Sequence, residues 1–120
     1  MEQKNLLQYY RDELNWNTPF ANIMEKYAPD SLRGYLTMRQ SLLNAHLPKQ
    51  YSELIFSLID TLDGDLAGAK AHAHQALDSG ITMPQLVEGF MIFTLVKGIN
   101  FMVKGGTEVL EDADNYSGEK

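Results

Sequence analysis

Between Gly64 and Gly80 the chain reads DLAGAKAHAHQALDS, with alanine at 67, 69, 71, 73 and 76. Alanine has the highest helix propensity of any residue and adds almost no side-chain bulk. A helix built this way is thin, so neighbouring helices approach its backbone closely. Such an element suits the centre of a helical packing and offers little to a sheet. Asp63 or Asp65 can cap its start, and Gly80 ends it.

The flanking segments read as helices too, without strand alternation. Leu6, Leu7, Tyr10 and Leu14 recur at helical spacing until Asn15-Trp16-Asn17-Thr18-Pro19 breaks the pattern. Thr18 and Pro19 suit the N-cap and first turn of a short helix through about Tyr27. Pro29 opens a third segment, whose stripe runs through Leu32, Tyr35, Leu36, Met38, Leu42 and Leu43. His46-Leu47-Pro48 closes it, because proline disfavours helical geometry in the residue before it. From Pro48 to Leu62 the residues Tyr51, Leu54, Ile55, Leu58, Ile59 and Leu62 fall on one helical face.

Thr82-x-x-Gln85 is a capping-box signature for a last long helix. Leu86, Val87, Phe90, Leu95, Met102 and Val103 are its core candidates. Gly89 and Gly98 fall inside it, where close helix contact accounts for them, and Gly105-Gly106 ends it. From about Glu111 the polar sequence reads as a frayed, flexible tail over 111–120. The expectation is an all-α bundle of five or six helices in a single domain over 1–110.

The net charge is −6, spread along the chain, and such a surface repels phosphate backbones, so no nucleic-acid partner is expected. The start has no basic flank followed by an apolar run, and so does not read as a signal peptide. The most apolar stretch, 89–103, is interrupted by Lys97 and Asn100 and is short for a membrane span. The chain therefore reads as a cytoplasmic protein without a membrane partner. It contains no cysteine, so thiol chemistry is excluded. Met83, Met91 and Met102, with Phe90, Phe93 and Phe101, make the last helix apolar around most of its circumference. Such a helix is central in the fold, half of a subunit interface, or both.

Chemistry concentrates on few residues. Asp65, Gly68 and His72 are spaced by three and four residues, which puts them on one helical stripe. His74 lies about 200° around the helix from His72, so the two cannot chelate a metal from one face. Three histidines without cysteine give no zinc site, and no cofactor is implied. On the residues alone, Glu53 sits opposite the Leu54–Leu58 stripe, beside Ser57 and Asp60, on what is usually a solvated face. Asp65 reads either as a plain N-cap or as a pocket residue. His46 reads as a helix-end residue.

Taken together, Glu53, His72, Gly80-Ile81-Thr82 and Glu88 resemble the carboxymuconolactone decarboxylase and alkylhydroperoxidase D-like family. In its redox branch a glutamate is followed after eleven residues by Cys-x-x-Cys and, three residues later, by histidine. Here Glu53 and His72 take the outer positions, and Asp65 and Gly68 stand where the cysteines would be. The resemblance implies an alkylhydroperoxidase D-like helical bundle in which Glu53's polar face meets the next helix. It implies a catalytic pair, His72 and Glu53, with Asp65 and Gly68 at the substrate. It also implies a homo-oligomer, trimeric or hexameric.

The enzymatic expectation is a cofactor-free acid–base lyase or isomerase acting on a small carboxylated or lactone substrate, and not a thiol peroxidase. The alternative is a non-catalytic small-molecule-binding or assembly protein on the same fold. A pocket joining Glu53 to His72 would favour the enzyme, and a filled core or an exposed Glu53 the alternative.

Overall fold

Residues 66–78 do form the thin helix that the alanines dictate, and the elements around it are helical as well. A computed structural model describes residues 3–13, 16, 18–43 and 45–119 of the chain. Its helices are α1 (Gln3–Asp12), α2 (Pro19–Tyr27), α3 (Pro29–Leu42), α4 (Lys49–Asp63), α5 (Leu66–Asp78), α6 (Met83–Lys97) and α7 (Thr107–Gly118). A π-helical turn over Met102–Gly106 leads into α7. No strand occurs among the described residues. The contacts group into two compact units, Met1–Ala45 and His46–Lys120, each with its own core.

In the first unit the α1 and α3 stripes deliver Leu6, Tyr10, Leu32 and Leu36 to a core that Ala21 of α2 completes. The Tyr10 hydroxyl donates to Gln40 Oε1 at 3.0 Å. Burial pushes its phenol above the ordinary tyrosine range, against the opposing effect of Arg39. Thr18 stands at the N-cap of α2 but makes no side-chain cap bond there. Leu14 lies outside the described residues.

The second unit is built on α5. Ala69, Ala73 and Ala76 are fully buried, against Leu86 and Phe90 of α6 and Val109 and Ala113 of α7. Only Gly64 and Asp65 separate α4 from α5, so the two run antiparallel. Gly64 takes a left-handed conformation (φ 87°) to make that link. Asp65 is the N-cap, its carboxylate accepting from the Gly68 amide at 3.0 Å. The capping box of α6 forms as well, from Thr82 and Gln85.

The apolar stripe of α4 is where the structure departs most from periodicity. Tyr51, Ile55, Ile59 and Leu62 are each more than 40 % exposed, while the buried residues of that helix are Ser52, Glu53, Ser57 and Thr61. The polar face turns inward because α5 offers partners there. The Ser57 hydroxyl donates across to the Ala69 carbonyl of α5 at 2.8 Å, while the buried Thr61 hydroxyl is satisfied within α4 by the Ser57 carbonyl at 2.7 Å. Small side chains on both helices bring the backbones near enough for the Ser57–Ala69 bond.

The last long helix is corrected in two ways. Gly98 (φ 92°) terminates α6 with open space where a Cβ would stand, so it is a break and not a close contact. Gly89 is a close contact, its position abutting Leu54. Of the expected core residues, Leu86 and Phe90 are buried, whereas Val87, Leu95 and Val103 are exposed. Residues 107–118, read from sequence as the end of the bundle and a frayed tail, form α7. Ala113 is buried, the Tyr116 ring stacks on His74 (centroids 3.9 Å apart), and the Tyr116 hydroxyl reaches Asp78 at 2.7 Å. The tail composition is polar, but its polar groups have partners on α5.

Candidate functional site

α4 and α5 bring together the two residues named first from the sequence. Glu53, on the inward face of α4, is 4 % exposed. A carboxylate removed from water needs a partner, and Glu53 Oε2 lies 2.6 Å from His72 Nδ1. An ionised carboxylate only accepts hydrogen bonds, so Nδ1 carries the proton of this contact. That fixes the tautomer and leaves Nε2 as the nitrogen that can exchange a proton with another molecule. The Phe56 ring packs at 5.0 Å from the imidazole and fixes its tilt. The His72 side chain remains 20 % exposed, so part of it meets solvent.

The sequence did not single out Asp60 as a site residue. Its Oδ2 lies 3.7 Å from His72 Nε2, beyond hydrogen-bond length but close enough for charge to act. Glu53 and Asp60 are seven residues apart, two helical turns, and therefore share a face. That spacing was readable, but on the residues alone the face reads as a solvated one, and the resemblance that turns it inward assigns no role to Asp60. Asp60 thus puts negative charge beside the atom where an arriving proton would sit.

Asp65 and Gly68 have definite roles in this arrangement. A Cβ at position 68 would stand 2.7 Å from Asp60 Oδ2 and 2.5 Å from Asp65 Oδ2. Glycine is what lets both carboxylates close over the first turn of α5. Asp65 is the helix cap, the first of its two sequence readings, and lines neither of the two described cavities. Replacing Gly68 by Ala should displace these carboxylates with little net change in stability. The gain in helix propensity, about 1 kcal/mol, offsets a weakened cap of about 1 kcal/mol. The expected result is a small change in melting temperature with displaced His72 imidazole resonances in NMR. Unmoved resonances would show that the carboxylates do not depend on the glycine.

His74 faces away from this site, as the helix geometry requires, and pairs with Asp112 of α7 at 2.7 Å. His46 is exposed just before α4. No group of three or more metal-ligating side chains occurs among the described residues. Two cavities are described in the second unit, and neither is lined by Glu53 or His72. One, of about 630 Å³, is an apolar depression beside Met83, Val87, Met102 and Leu110. The other, of about 210 Å³, lies at the end of α4. The pocket joining Glu53 to His72, on which the sequence reading made the enzyme depend, is thus neither of these two cavities, and the catalytic reading rests on the pair itself.

No family model matches the chain, and no curated protein does. Among solved structures it is similar to the crystal structure of "putative carboxymuconolactone decarboxylase from Burkholderia xenovorans LB400". The TM-score is 0.84 at 22 % identity, with 98 % of this chain and 96 % of that one covered. At this identity the likeness shows the fold: the chain has the all-helical fold of that protein. No helix of the described residues is long and apolar enough to cross a membrane.

Proposed function

We propose that this protein is an acid–base enzyme in which His72 transfers a proton at Nε2 and Glu53 holds the ring from Nδ1. The observation that carries this reading is the buried Glu53 carboxylate, 2.6 Å from the Nδ1 of an imidazole whose side chain keeps 20 % of its surface exposed. A carboxylate–imidazole couple of this kind moves protons near neutral pH without a metal or a thiol. The shared fold with a protein named as a carboxymuconolactone decarboxylase supports decarboxylation or isomerisation of a small carboxylated or lactone substrate. In a decarboxylation the C–C bonding pair stays on the substrate carbon as an enolate when CO2 leaves. His72 Nε2–H then gives that carbon its proton, and the ring is reprotonated from water. Asp60 places negative charge beside the charged ring. The test is a screen of lactone and keto-acid carboxylates with purified protein, followed by His72→Gln on any compound turned over. Turnover that survives this substitution would remove the reading.

The assembly belongs to the same proposal. On α6 the side chains of Leu95 and Val96 are 85 % and 81 % exposed, and Met91 and Ile92 lie exposed beside them. Contiguous apolar surface of this kind is characteristic of obligate subunit interfaces. The protein is expected to form a trimer or hexamer of its 13.6 kDa chain. Light scattering that gave a stable monomer at micromolar concentration would refute this.

A further inference from the structure

The 210 Å³ cavity is lined by Thr61 and Leu62 at the end of α4, and by Lys97, Asn100, Phe101 and Lys104 around the α6–α7 connection. In a chain of net charge −6, two of its six lining residues are cationic and none is acidic. The other lysines described in this unit have partners: Lys49 donates to Gln75 at 3.4 Å and Lys70 pairs with Glu108 at 2.7 Å. The ammonium groups of Lys97 and Lys104, both exposed residues, make no hydrogen bond or ion pair with any described residue.

The local fold is what brings these groups to one cavity. Gly98 stops α6 immediately after Lys97, and the chain re-enters helical geometry at Asn100. The π-helical turn then carries Lys104. It is seated by Gly105, where a Cβ would fall 2.7 Å from Leu66 Cδ2. π-Helical turns of this kind recur at functional sites. The Thr61 hydroxyl hydrogen is committed to the Ser57 carbonyl. The donors left for a ligand are the two ammonium groups and the Asn100 amide. Phe101 and Leu62 supply apolar wall. Both ammonium groups can reach an anion held in this one cavity, and each attracts it.

We infer that this cavity binds a small organic carboxylate with an apolar body, of about the size of benzoate. The volume is below the range of about 300–1,000 Å³ usual for drug-sized ligands. The inference does not depend on the proton-transfer reading of His72.

The experiment is an NMR titration of the whole chain with benzoate, acetate and inorganic phosphate at low and high salt. Benzoate should bind saturably, shift the Asn100 and Lys104 amides, and weaken as salt rises. In Lys97→Gln/Lys104→Gln, benzoate affinity should fall at least tenfold, while the arginine pair should retain it. His72→Gln should leave it unchanged. Absent saturable binding, or equal affinity in the glutamine double variant, would overturn the site. Phosphate or acetate binding as tightly as benzoate would overturn the apolar-bodied carboxylate as its ligand.

Discussion

Replacing His72 by Gln is expected to lower turnover by about two to four orders of magnitude, the usual cost of removing a positioned acid or base. Glutamine keeps polarity and approximate length but cannot exchange a proton at neutral pH, so helicity and assembly should persist. Glu53→Gln should cost less, because the imidazole survives while its orienting carboxylate does not. Asp60→Asn should fall between parent and Glu53→Gln, since at 3.7 Å it acts through charge and not through a hydrogen bond. His74→Gln tests the assignment of faces. It breaks the pair with Asp112 on α7, so stability should drop while turnover per folded molecule does not. An essential His74 with a dispensable His72 would place the chemistry on the opposite face of α5.

How much of this was legible in the sequence depends on what each pattern measures. Alanine spacing and glycine punctuation report local backbone preference, and α5 with its Asp65 cap and Gly64 link is as those signals indicate. The capping box at Thr82 is equally local and equally well met. Hydrophobic periodicity reports an amphipathic face without saying which side the protein buries. On α4 it pointed away from the site, because the inward side carries Ser52, Glu53, Ser57 and Thr61. The correct orientation of Glu53 came from the family resemblance, not from periodicity.

Asp60 was missed because periodicity alone put its face in solvent, and the family motif, which turned that face inward, has no position for it. The break at Gly98 was missed because the apolar residues run through it on both sides. Glycine at a helix end and glycine at a close helix contact look alike in a sequence. The structure separates them by φ and by what surrounds the absent side chain.

Deletion of residues 111–120 should be far more damaging than the removal of a polar tail. It takes away the Asp112–His74 and Tyr116–Asp78 bonds, at about 1 kcal/mol each, and the Tyr116–His74 stack, worth about 1 kcal/mol. It also leaves α7 with four residues, 107–110, too short to persist as a helix. Val109 and Leu110 would then lose their seats against the alanine face of α5, at about 2 kcal/mol each. The total is a large share of the roughly 5–15 kcal/mol by which a domain of this kind is stable. At about 4–8 °C per kcal/mol for a small domain, the truncated chain should melt at least about 15 °C lower or lose its cooperative transition. Circular dichroism melts of the two chains decide the matter. A midpoint within a few degrees of the full chain would mean that the contacts of Asp112 and Tyr116 on α5 contribute nothing to the fold, and that 111–120 is a tail after all.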